Sequence, residues 1–377
     1  MALVTLGQLP EAGLDDHAWS ERCRYWSAPR LEKRRRGAPP RRVHRPLILT
    51  GHGMRLNVDQ GTLLVRRGFT RYPQKQELYR FFPGDRNMPS RIILVDGSGS
   101  ITLDVIDWLS QQDVPLVRID WRGNATTVIS NSYGPDPKLV RAQLAAEENK
   151  TIRLRIAAAL IAEKLKNSIE TLKDLEHSER VDSALTKHAE SLTELRITPP
   201  KTINALLGIE GRSALAYFNA WQDLPLQWKG TSRKHIPNDW LKFTNRTSVQ
   251  IKRAQNRNAS HPVNAILNYA YAVLESRVRL EIAALGYDPM IGYLHSYDKD
   301  RAALVFDLME PLRPVVDHVV LDFIHAETFD PADFTIRRDG VCRLNPELTS
   351  ALIRQLESRP LSINLVLQRS FPPTRIS

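Results

Sequence analysis

The sequence predicts an α+β chain in which a β-rich amino-terminal domain precedes a larger all-α domain. Three observations carry that reading. After Pro46, short apolar runs recur at period two, as in Leu56 and Val58 and again in Leu63 and Val65. After Pro135 and Pro137 the spacing changes to three and four, with Ile152, Ile156, Leu160, Ile161, Leu165, Ile169 and Leu172 on one helical face. A length of 377 residues with 42% apolar side chains suits two cores better than one.

In chain order, Asp59-Gln60-Gly61 joins two alternating runs and predicts a hairpin, its glycine supplying the positive φ of a tight turn. Residues 91–95 and 115–119 are further strands, with a short helix over 102–111 between them. Asp96-Gly97-Ser98-Gly99-Ser100 follows a strand, yet it lacks both the GxGxxG spacing and a GK[ST] ending, so a turn is predicted rather than a phosphate loop. The β-rich domain is set at 46–135 and the helical domain at 136–377. Within the latter, helices are predicted over 202–221, 262–285, 313–326 and 345–357, with Pro199-Pro200 ending the first long helical region and a break over 286–294.

The charge is +11 and unevenly placed. Ten Lys or Arg lie between Glu21 and Arg45 against only Glu21 and Glu32, with Pro29, Pro39 and Pro40 among them and Pro46 directly after. Residues 1–45 are therefore expected to be a solvated, poorly ordered basic extension. Tyr25 and Trp26 among arginines also allow a nucleic-acid arm. Cys23 and Cys342 have no CxxC companion, which argues against a disulfide framework or a structural zinc. No run reaches the length of a membrane helix and the start has no signal-peptide core, so a cytoplasmic protein without membrane contact is expected. The basic balance favours a polyanionic partner, nucleic acid first.

Three places in the helical part embed acids or an imidazole in apolar sequence. Glu210 lies between Gly208 and Gly211, which permit close approach of a backbone or a ligand. His295 ends the run Ile291-Gly292-Tyr293-Leu294. Asp307 and Glu310 stand three apart, on one face if helical. A buried carboxylate needs a cation, hydrogen bonds or a metal, so two acids and an imidazole could form an open Mg²⁺ or Mn²⁺ site or serve a purely structural role. Glu275, Arg277, Arg279 and Glu281 read as a solvated, salt-bridged helix face, and His318 as a packed or capping residue.

At these same residues the chain resembles the CRISPR-associated spacer integrase family, the metal-dependent endonuclease of CRISPR adaptation. The matching segments are Leu206 to Gly211 followed by Tyr217, Phe218 and Trp221, then Pro262 to Leu274, Gly286 to Pro289, Ile291 to His295, and Phe306 to Pro314. The resemblance implies a β-sandwich-like amino-terminal domain that pairs in a homodimer, and a helical catalytic domain. It also implies that Glu210, His295 and Glu310 bind the catalytic Mg²⁺ or Mn²⁺, with Asp307 as a supporting acid. Many family members carry aspartate where this chain has Glu310. The implied reaction is insertion of short double-stranded DNA fragments into a CRISPR array by 3′-hydroxyl attack on a phosphodiester, in antiviral defence, with a small ferredoxin-like companion protein. Arg212, Arg246, Lys252, Arg253 and Arg257 are the candidate DNA contacts. A transposon-type stand-alone integrase and a non-catalytic DNA-binding scaffold are the competing readings. Residues 1–45 have no counterpart in the family pattern.

Overall fold

The computed structural model describes residues 46–69, 76–120, 124–130, 134–232, 234–246, 259–295, 302–337, 340–359 and 366. The basic extension and Lys252, Arg253 and Arg257 lie outside these residues, as does Cys23, while Cys342 is buried with a free thiol.

The β-rich part contains β1 (Leu47–Asp59), β2 (Thr62–Arg66), β3 (Leu78–Phe81), β4 (Ile92–Ile101), α1 (Leu103–Gln111), β5 (Leu116–Ile119) and β6 (Ala125–Ile129). The predicted hairpin joins β1 to β2, and Gln60 and Gly61 both have positive φ. The strands form one six-stranded mixed sheet in the order β3-β2-β1-β4-β5-β6, with β4 parallel to both β1 and β5. The β-rich part is thus one mixed sheet with helices packed on its two faces, rather than the two facing sheets of a sandwich. Ile92 and Leu94 join Leu49, Leu56, Leu63 and Val65 under Val105, Trp108 and Leu109 of α1. Ile93 and Val95 point the other way, into the core of the helical domain. A central strand buried on both faces must be apolar at every position, which is why Ile92-Ile93-Leu94-Val95 does not alternate.

Asp96-Gly97-Ser98-Gly99-Ser100 is not the predicted turn. It lies within β4, which continues to Ile101 with a register shift against β1. Asp96 and Gly97 take positive φ, and a Cβ on Gly97 would stand 1.8 Å from the Gly51 carbonyl oxygen. The glycines let two strand backbones meet at a bulge, a use of Gly that resembles a turn signal in sequence.

The helical part contains α2 (Pro137–Glu148), α3 (Lys150–Lys173), α4 (Glu179–Ile197), α5 (Ile203–Ala220), α6 (Pro262–Leu285), α7 (Ala303–Met309), α8 (Arg313–Ala326) and α9 (Pro346–Ser358). Two small pairs join them: parallel β7 (Gln227–Trp228) with β8 (Thr328–Phe329), and antiparallel β9 (Phe334–Ile336) with β10 (Cys342–Leu344). Helix α6 starts where His261 accepts from the Val263 N–H and Pro262 fills the first turn, and it stops at Gly286 in the left-handed region. It is buried over most of its length and forms the axis of the domain. Its Glu275 and Arg279 pair at 2.7 Å, but the face predicted to be solvated is partly covered, because Arg277 sits by Glu357 and Arg91 at the domain junction. Arg91 at the edge of β4 pairs with Glu357 of α9, and Arg343 with Asp96, tying the sheet to the helices. Among the described residues, no helix is long and apolar enough to cross a membrane.

Candidate functional site

Helix α3 runs through the centre of the site. Ile161 and Leu165 are buried on its inner face, and Lys164 shares that face. Lower on the same helix, Asn167 Nδ2 donates to the Pro311 carbonyl at 2.7 Å, and the Thr171 hydroxyl donates to the Pro314 carbonyl at 2.8 Å. The first carbonyl lies within the 3₁₀ turn Glu310–Leu312 and the second in the first turn of α8, and each belongs to a proline that has no backbone donor. The polar side chains of α3 therefore fix the turn and set Glu310 against Lys164. The Lys164 ammonium donates to Glu310 Oε2 at 2.6 Å and also to Glu210 Oε1 of α5. Burial pushes the Glu310 carboxyl up, and Arg313, Lys164 and His295 outweigh it and hold the group at about 2. Arg313 Nε lies 3.3 Å from Glu310 Oε1 but off the line of its N–H, so that pair is coulombic rather than a hydrogen bond.

Asp307 is fully buried and answers its charge differently. It accepts backbone N–H groups from Tyr293 at 2.5 Å, Leu294 at 3.0 Å and His295 at 2.9 Å. Its Oδ1 also lies 2.7 Å from His295 Nδ1. An ionised carboxylate only accepts, so Nδ1 carries the proton and Nε2 of a neutral ring keeps a lone pair. The hydrogen bond to Asp307 raises the His295 pKa above its ordinary value against the opposing effect of burial. This close approach requires Gly292, because a Cβ there would stand 2.7 Å from the Ala303 Cβ and 2.9 Å from Asp307 Oδ2. Asp307 and Glu310 stand three apart on continuous helical backbone, as expected, and take different partners: Asp307 in α7 supports His295, whereas Glu310 opens the next turn and pairs with Lys164.

Beside the carboxylates is a cleft of about 480 Å³, lined among others by Lys164, Glu210, Arg246, Tyr271, Glu310 and Arg313. Arg246 is stacked by Phe218 at 5.4 Å and Tyr271 at 5.6 Å, and Arg313 also lies over the Tyr271 ring, at 5.0 Å. Behind them Asp317 accepts from Tyr217 at 3.1 Å and Tyr271 at 2.6 Å, and burial raises its carboxyl to about 6. Gly211 faces open space and Gly208 meets nothing nearer than an Arg212 nitrogen at 3.8 Å, so no backbone of the described residues uses the approach they permit. Arg212 is half-exposed and paired with Glu194 at 3.2 Å. His318 is a packed residue, 2.7 Å from Asp174.

Sequence reasoning missed Lys164, Arg313 and the Asp317–tyrosine network. The signal for Lys164 was present: a lysine three residues after Ile161 and four after Leu160 interrupts an apolar stripe, where an unpaired ammonium is costly. Among the described residues, no three His, Cys, Asp or Glu side chains are gathered in metal-binding geometry. The reason is visible in the pairing, since Lys164 holds the two glutamates and Asp307 holds the histidine. The donor chemistry itself fits Mg²⁺ or Mn²⁺, with two carboxylates and an imidazole nitrogen oriented by a carboxylate partner.

A family model described as CRISPR associated protein Cas1 matches residues 47–358. CRISPR-associated endonuclease Cas1 1 of Thermus thermophilus is 30% identical over 323 residues, covering 84% of this chain and 86% of that protein. The solved structure of a casposase bound to integration product is similar at a TM-score of 0.68 and 25% identity, covering 86% of this chain and 90% of the other. A chain of a Cas6-RT-Cas1–Cas2 complex has the same fold, at a TM-score of 0.64 and 20% identity, with 88% of this chain matching 35% of that one. With a family model spanning both parts of the fold and all three candidate acids and the imidazole, the chain belongs to the Cas1 family of CRISPR-associated proteins.

Proposed function

We propose that the protein is a divalent-metal-dependent DNA integrase and nuclease that inserts short duplex fragments into a CRISPR array. The observation that carries this is the convergence of Glu210 and Glu310 on one ammonium, in a family member that also retains an Asp307-oriented histidine. Glu210, Glu310 and His295 Nε2 would hold the Mg²⁺ or Mn²⁺. When bound, the ion supplies Lewis-acid polarisation of a phosphodiester. Asp307 acts through His295 as a positioning residue, keeping the proton on Nδ1 and the lone pair on Nε2. Arg313 and Arg246, pre-oriented on the Tyr271 ring, face the cleft where phosphate charge would collect. One phosphodiester is exchanged for another, so no nucleotide cofactor is required.

The β-rich part at 46–135 is the proposed dimerisation domain, and the helical part at 136–377 the catalytic one. Double-stranded DNA is the substrate, and a cytoplasmic setting follows from that substrate. The likeness to a chain of a Cas6-RT-Cas1–Cas2 complex supports a small Cas2-like companion. A second reading, a transposon-type stand-alone integrase, is favoured by the similarity to a casposase bound to integration product. Joining a labelled 3′-hydroxyl duplex to a supercoiled plasmid carrying a repeat array tests both. Metal-dependent joining that falls about a hundredfold or more in His295→Ala is the expected result, and joining unaffected by that substitution would falsify the site. Dependence on the companion and on the repeat supports the CRISPR reading, whereas efficient joining without either supports the stand-alone one.

A further inference from the structure

We propose that Lys164 is the built-in counterion of the metal site: its ammonium holds Glu210 and Glu310 together until a divalent cation takes that place, and is then released into the adjoining cleft. The proposal rests on the metal reading of Glu210, His295 and Glu310. Lys164 extends from the apolar face of α3, its side chain only 15% exposed, and its two hydrogen bonds go to these two glutamates. A lysine in such a stripe is stable only while it is paired, and two acids so close are stable only with a cation between them.

Charge balance gives the direction. The carboxylates of Glu210, Glu310 and Asp307 face two cations, Lys164 and Arg313, and the neutral His295 ring. Adding a divalent ion with every side chain in place would leave an excess of positive charge in a partly enclosed site, where repulsion is poorly screened. One cation must move, and the two are not equally free to do so. Arg313 is packed over the Tyr271 ring at 5.0 Å. Lys164 has a flexible four-carbon stem and borders the open cleft together with Arg246. Its released ammonium would join Arg246 and Arg313 where a DNA phosphate oxygen could accept from it. Lys164 therefore opposes metal binding yet assists strand transfer.

Those opposite signs are the test. Free Mn²⁺ is titrated into the full chain and followed by electron paramagnetic resonance for wild type, Lys164→Met and Lys164→Arg, and joining of the labelled duplex is measured at saturating Mn²⁺. Lys164→Met is expected to bind Mn²⁺ about tenfold more tightly than wild type and to join DNA about tenfold more slowly. Wild type that binds Mn²⁺ while Lys164→Met binds it no better, or joins DNA as fast, overturns the proposal and leaves the metal reading intact. Wild type that binds no Mn²⁺ overturns the metal reading and the proposal with it. Should Lys164→Met not fold, Lys164→Arg carries the test, because a forked guanidinium pairs with both acids and is harder to release. It is expected to weaken Mn²⁺ binding about tenfold, and unchanged or tighter binding overturns the proposal.

Discussion

Asp307 and Glu310 stand three residues apart, both buried and both charged, yet the protein neutralises them by different means. Asp307 is enclosed by three backbone N–H groups and the His295 ring, donors fixed by the chain path through Gly292. Glu310 is answered by side-chain cations, Lys164 at 2.6 Å and Arg313 at 3.3 Å. A backbone nest cannot be exchanged for another ligand without unfolding the loop, whereas a side-chain cation can rotate away. A carboxylate in apolar sequence is therefore not one kind of feature. What neutralises it decides whether it serves structure or chemistry.

The largest expected effect comes from breaking the fixed half. Asp307→Ala strands three buried amides and the His295 ring donor, and should cost about 3–5 kcal/mol of stability in urea unfolding. A loss no greater than that of Glu310→Gln would erase the distinction between the two acids. Asp317, buried behind both, sharpens it next. Its folded carboxyl is raised from 3.8 to about 6, so the folded state holds the proton where the unfolded chain has already released it. Its contribution is therefore fully present below pH 3.8 and is lost as pH rises toward 6, by about 3 kcal/mol in order of magnitude. The stability difference between wild type and Asp317→Asn should shift across that window, and a difference flat with pH would remove Asp317 from the account.

Gly292→Ala comes third. The added methyl overlaps Ala303 and Asp307 and should destabilise by about 1–3 kcal/mol, and it should shift the His295 ring resonances in NMR as the nest opens. Unchanged ring resonances would show that the nest tolerates a side chain. The smallest effect belongs to the half-exposed Arg212–Glu194 pair, where Arg212→Ala should change stability by less than about 0.5 kcal/mol. If Arg212 meets DNA, the same variant weakens duplex binding and lowers its salt dependence, whereas unchanged binding removes it from the DNA-contact set.

Much of this could be read in the chain before the structure. Helices α6 and α8 begin and end where sequence placed them, because proline at the first turn and Gly286 at the end of α6 are local signals. Glu210, His295, Asp307 and Glu310 stood out because charge in apolar sequence demands a partner. The partners themselves were less legible, since Lys164 precedes Glu210 by 46 residues and Glu310 by 146. Helix α4 was not resolved as a separate element because its buried positions are Val181, Ala184, His188 and Ser191, small or polar residues with little apolar periodicity. The Asp96 to Ser100 segment was misread because glycine serves a strand bulge and a turn through the same freedom at positive φ. The short strands β7 and β8, two residues each, carry no period to detect.

Crystals of the protein grown with Mn²⁺ and measured at the manganese absorption edge test the central claim most directly. The account predicts a single anomalous peak bounded by Glu210, Glu310 and His295 Nε2, with Asp307 still in its nest and Lys164 turned into the cleft. A fully occupied manganese elsewhere, with Lys164 still bridging the two glutamates, would contradict it.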